Sequence, residues 1–258
     1  MYRKTIFYIS FYALFLALFV IFSYVPYIGY ITLGPISFTT MHILVLVGAL
    51  LFGKWTGGVF GLFMGVLSLL VALQYPGEVN YLFLNPFVSI LPRVLFGFIS
   101  GLIFDIFRKK TTFAGFLSIS APMCGILTLL HTVLTLGCLY VFGYLDIFYI
   151  SHLLDLTTII ERNAEIFGSF GNFVATFIAP GAVCEIAAAI ILSPTIMAAL
   201  YKFVVKRNER IFDLNVSFKS EADTTALNKT SLISITIILG FVVVALSALV
   251  LFLFYYFK

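Results

Sequence analysis

Apolar residues fill this chain in blocks long enough to cross a bilayer, each closed by a short polar or charged stretch. A span needs about 20 such residues. The blocks predict helices near 5–28, 36–53, 55–73, 84–107, 113–144, 171–200 and 231–257. The second block is short, and only Gly53-Lys54 divides it from the third. The fourth opens on Asn85-Pro86 and carries Pro92-Arg93 a few residues later. Two prolines remove helix donors there, which membrane helices tolerate beside protein or water. The expected architecture is an all-α membrane protein: a six-helix body over residues 1–205, a polar linker over 206–230 and a seventh span over 231–258.

The basic residues orient these spans. Positive residues gather on the cytoplasmic side of short loops. With the N-terminus cytoplasmic, twelve of the fifteen lysines and arginines fall inside: Arg3, Lys4, Lys54, the Arg108–Lys110 cluster and six between 202 and 229. The segment 145–170, expected outside, is acidic, with Asp146, Asp155, Glu161 and Glu165. The first apolar run is too long for a signal peptide and lacks a small-residue cleavage site, so it reads as a retained span. The seventh span has no charged residue between Leu232 and Phe257 and reads as an added anchor.

Composition confirms lipid as the solvent. Of 258 residues, 62% are hydrophobic and 10% charged, against about 25% charged in soluble domains. The net charge of +4 gives no nucleic-acid surface, because the cations sit at helix ends. Cys124, Cys138 and Cys184 lie inside apolar runs, with neither a disulfide framework nor metal-ligand spacing.

Against this background the buried polar residues stand out. Arg93 lies within an apolar run, and an intramembrane arginine marks an aqueous cavity or a partner. At about 1.5 Å per residue, it sits roughly 12 Å along its helix from Asn85. His42, His131 and Asn172 fall in the outer parts of three other helices, and Glu185 near the middle of the sixth. Together they describe an outward-facing pocket with one cation, one carboxylate and several hydrogen-bonding groups. A second reading stays open, in which Arg93 and Glu185 neutralise one another. Gly57, Gly61 and Gly65, with Gly97 and Gly101, read as close helix packing. Ala13 and Ala17 form a small-residue face that spacing alone assigns equally to internal packing and to docking another membrane protein.

Energy-coupling motifs are missing. Gly48–Trp55 approaches a phosphate-binding loop but places Trp55 where serine or threonine would ligand magnesium, on a membrane helix. Neither a Gly-x-Ser-Gly segment nor a His-Glu-x-x-His zinc helix occurs. The chain is expected to be no enzyme, and to borrow its energy from a partner or an ion gradient.

The stretch from Gly29 to Ile43, then Gly48–Gly53, the glycine-rich third span and Asn85-Pro86-Phe87-Val88-Ser89-Ile90-Leu91-Pro92-Arg93 resembles the S components of energy-coupling factor (ECF) vitamin transporters over roughly residues 1–205. The resemblance is most specific at His42 and at the Asn85–Arg93 segment. It implies a six-helix body in a bacterial plasma membrane that captures a small vitamin from outside. It further implies docking through Ala13 and Ala17 on a transmembrane coupling subunit, and toppling driven by two cytoplasmic ATPases. ATP is then a cofactor of the partners only. The His42 and Pro92-Arg93 patterns look most like pantothenate-type members. The substrate-binding set is expected to be Arg93, His42, Asn85, His131, Asn172 and Glu185. The alternative reading is a stand-alone, proton-coupled permease for a small organic anion, using Glu185 and His131. The seventh span departs from the family's usual topology.

Overall fold

The computed structural model describes residues 2–25, 28–33, 36–75, 83–108, 111–144 and 170–202. The linker 206–230 and the expected seventh span 231–258 lie outside this set, as do most of the segment 145–170 and Arg162 within it. Among the described residues six long helices form one bundle: α1 (Tyr2–Tyr24), α2 (Met41–Phe52), α3 (Lys54–Gln74), α5 (Leu91–Arg108), α6 (Phe113–Cys138) and α7 (Phe170–Leu200). A single-turn helix α4 (Pro86–Ser89) precedes α5, and a π-helical turn, Leu139–Tyr144, extends α6. Five of the long helices are long and apolar enough to cross a membrane.

The second expected span departs from a simple helix. Residues 36–39 pair antiparallel with 30–33, so that β1 (Tyr30–Leu33) and β2 (Ile36–Thr39) form a hairpin with Tyr30 opposite Thr39. The helix starts only at Met41. Ile36-Ser37-Phe38-Thr39 alternates apolar and polar positions, a period of two that suits a strand and not a helical face. What is left, α2, has 12 residues and a length of about 18 Å, too short to span the core alone. It is the hub of the bundle, packed against every other long helix. Eleven of its residues are buried, which explains an element apolar on all sides.

α1 lies against this body along one stripe. Phe7, Phe11, Phe15 and Phe19 recur every four residues, and the last three are buried. Phe15 and Phe19 meet Phe60 of α3 at ring-centroid distances of 4.7 and 5.7 Å. Tyr12 adds a 2.8 Å hydroxyl bond to Thr56. The opposite face of α1, with Ala13, Leu14, Leu16 and Ala17, is exposed.

The seam between α3 and α5 is lined by glycine because backbone meets backbone there. A Cβ on Gly57 would strike the Gly97 carbonyl, and one on Gly61 the carbonyl of Arg93. A Cβ on Gly65 would lie 2.7 Å from Ile90 Cα. Without side chains the helices approach until van der Waals contact runs the length of the seam.

At the far end of α2 from His42, Gly53 has φ +81°, a conformation open to glycine at little cost. It turns the chain straight into α3. α5 closes this junction. Arg108 donates to the Leu50 and Ala49 carbonyls at 2.6 and 3.2 Å and to Asp105 at 3.0 Å. Asp105 in turn accepts the Lys54 N–H at 3.1 Å. The orphan carbonyls of one helix and an orphan donor of the next thus find partners. Arg108, expected from its position to be a loop cation, is buried at 4% exposure.

Candidate functional site

α5 presents Pro92, Arg93, Phe96, Gly97, Ser100, Gly101, Phe104 and Arg108 to the interior, at the three- and four-residue steps of one helical face. Arg93 sits in its first turn. The sequence builds that turn with care: Asn85 caps α4, its side-chain oxygen accepting the Phe87 N–H at 2.9 Å, and Pro86 takes the first helical position. The Asn85 amide nitrogen donates to the Phe142 carbonyl at 3.0 Å, joining α4 to the turn beyond α6. Ser89 donates to the Phe83 carbonyl. The chain then breaks at Ile90 and restarts as α5.

Arg93 is 5% exposed. One terminal nitrogen donates to the Val88 carbonyl, and the guanidinium lies 4.9 Å from the centre of the Phe83 ring. Its position is fixed from behind by Gly61, against which its own carbonyl rests. The Phe83 ring face holds the guanidinium in place, while its burial and its position at the positive end of α5 favour an anion beside it.

Two histidines complete the interior. His42, the second residue of α2, and His131 of α6 stack with ring centres 6.0 Å apart and 18° between planes. Phe96 packs on His131 at 4.9 Å. Both histidines are buried, at 0% and 5% exposure. Among the described residues none of their four ring nitrogens has a hydrogen-bond partner. The backbones of Thr39 and Glu185 come near His42 without closing a bond of normal geometry. Buried polar atoms are normally satisfied, so these nitrogens are open positions for a ligand or water.

Glu185 reaches the site from α7. It accepts the Thr39 N–H at 2.7 Å, tying the end of the hairpin to α7 just before His42. Arg93 lies within electrostatic reach of both Glu185 and His131. No direct Arg93–Glu185 ion pair forms among the described residues. Four of the six expected residues (Arg93, His42, His131 and Glu185) therefore face one region. Asn85 stands at its edge as a helix cap and a joint. Asn172 falls in the first turn of α7, and its side chain lies outside the described set.

Sequence reasoning missed Phe83 and Phe96. Phe96 follows Arg93 by three residues and so shares its helical face, a signal that was there to read. Phe83 had none, because its contact depends on the fold of the α4 turn.

The family model for the ECF transporter substrate-specific component matches residues 8–197. The chain belongs to this family. The S component is thus a multi-pass protein of the bacterial plasma membrane. The chain is also 32% identical over 135 residues to a pantothenate transporter, PanT, of Leuconostoc mesenteroides subsp. mesenteroides. That alignment covers 50% of the chain and 66% of the relative, just under two thirds of the latter's length.

Proposed function

We propose that this S component is the substrate-binding subunit of an ATP-driven importer, that it binds pantothenate with high affinity at the outer face, and that it catalyses no reaction. The observation that carries this reading is the desolvated Arg93 beside two stacked histidines with open ring nitrogens. Pantothenate offers one carboxylate, two hydroxyls and an amide. Arg93 takes the carboxylate through charge-assisted bonds. A neutral imidazole has one donor and one acceptor, and the two rings serve the hydroxyl and amide groups. The relative's designation as a pantothenate transporter supports the same substrate.

Energy comes from elsewhere. Membership of the family supports a transmembrane coupling subunit carrying two cytoplasmic ATPases. The exposed Ala13/Ala17 face of α1 offers that subunit a close helix approach, and toppling of the body on it delivers the ligand inside. Proteoliposomes holding the chain with its coupling subunit and ATPases test this. Labelled pantothenate should accumulate only with ATP. Uptake by the chain alone, driven by a proton gradient, would instead establish a stand-alone permease.

A further inference from the structure

The N-terminal end of α2 is held from outside the helix. Thr40, its N-cap, makes no side-chain cap bond. The Thr40 hydroxyl donates instead to the Ile28 carbonyl at 2.6 Å, and its N–H to the Gly29 carbonyl at 2.9 Å. Gly29 in turn lies against α1, where a Cβ on it would strike the Phe22 carbonyl. The capping contact comes from Thr39, whose hydroxyl accepts the Met41 N–H at 3.3 Å. Thr39 is itself tied to α7, its N–H donating to Glu185 at 2.7 Å. Glu185, Thr39 and Met41 thus form a chain of bonds that ends one residue before His42. That histidine stacks on His131, and among the described residues neither of its ring nitrogens has a hydrogen-bond partner.

We propose that Glu185 is a positioning residue and not a ligand contact: through Thr39 it fixes the start of α2, and so the place of the His42 ring in the site. This role rests on the reading of His42 as a pantothenate contact and deepens it. A carboxyl oxygen, ionised or protonated, and an amide oxygen can each accept the Thr39 N–H. The role therefore needs an acceptor and not a charge. Side chains that touch a ligand keep their geometry within about 0.5 Å only when other groups lock them. Released at Thr39, α2 would keep its packed body, because eleven of its residues are buried. Its first turn would fray, since the N–H groups there have no partner within the helix. His42 belongs to that turn.

Two measurements on the purified full chain test this: hydrogen exchange of the amides from Thr39 to Ile43 without ligand, and equilibrium binding of pantothenate. Glu185→Met keeps the bulk and loses the oxygen acceptor. It should speed exchange across that segment and weaken binding by about tenfold. Glu185→Gln keeps an acceptor, and should exchange like the wild type and bind within about threefold of it. His42→Phe removes the nitrogens that Glu185 places, so in that background Glu185→Met should cost less than about twofold. Wild-type exchange in Glu185→Met overturns the proposal, whatever the chain binds. A loss of about tenfold in both backgrounds also overturns it, because independent effects add and Glu185 would then touch the ligand itself. Should Glu185→Met not fold, weak binding or faster exchange in Glu185→Gln overturns it instead. A wild-type chain that binds no pantothenate defeats the substrate reading, while the exchange comparison, which needs no ligand, still decides whether Glu185 holds the start of α2.

Discussion

Arg93 and the two histidines differ in how the protein holds them, and so in what their loss should do. Arg93 is anchored by the Val88 carbonyl and the Phe83 ring. Arg93→Ala should weaken pantothenate binding by about 2–5 kcal/mol, because it leaves the ligand carboxylate buried without its partner. Arg93→Lys should restore only part, since an ammonium lacks the planar fork. Titration of the folded variants checks both, and unchanged affinity in Arg93→Ala would exclude it from the site. The ring nitrogens of His42 and His131 bond nothing in the protein among the described residues. His131→Phe keeps the ring packed on Phe96 and removes only those nitrogens. It should therefore leave the melting temperature in detergent nearly unchanged while costing about 1–3 kcal/mol of affinity. Loss of stability with unchanged affinity would make the imidazole a packing residue only.

At the scale of elements, α3 shapes the candidate site and α1 presents the proposed docking face. α5 sits where it does because α3 is glycine along the seam, and Gly61 meets the Arg93 carbonyl directly. Gly61→Ala should push α5 outward, costing about 1–3 kcal/mol of stability through overpacking. It should also lower affinity, an effect visible in a paired thermal and ligand titration. α1 presents its phenylalanine stripe to Phe60 and leaves Ala13 and Ala17 exposed. Ala13→Trp combined with Ala17→Trp should block co-purification with the coupling subunit by sterics and leave ligand binding by the isolated chain intact. Lost binding with assembly retained would place that face inside the body.

For the whole molecule, the six-helix plan could be read from apolar block lengths, and the α3–α5 approach from glycine spacing. Arg93 was legible as a candidate site residue because an arginine in an apolar run normally faces a cavity or a partner. The hairpin was hidden by its own hydrophobicity: Ile36 and Phe38 look continuous with the helix that follows Thr40, and only the alternation with Ser37 and Thr39 betrays a strand. Asn85 carried a capping signature in Asn85-Pro86, and the structure shows that cap in place. Arg108 looked like any cation closing a span. Its burial depends on where the α2–α3 junction lands, a tertiary fact that no local pattern encodes. The stacking of His42 on His131 is of the same kind, since the two are distant in sequence and meet only because α2 is the hub of the bundle.

The central claim is that one pantothenate occupies a site organised by Arg93. Native mass spectrometry of the purified full-length chain, released from detergent after incubation with a mixture of small vitamins, tests it most directly. The wild-type protein should carry a mass increment equal to one pantothenate, and Arg93→Ala, prepared in parallel and folded, should carry none. A different vitamin on the wild-type chain, or pantothenate retained equally by Arg93→Ala, would contradict the account.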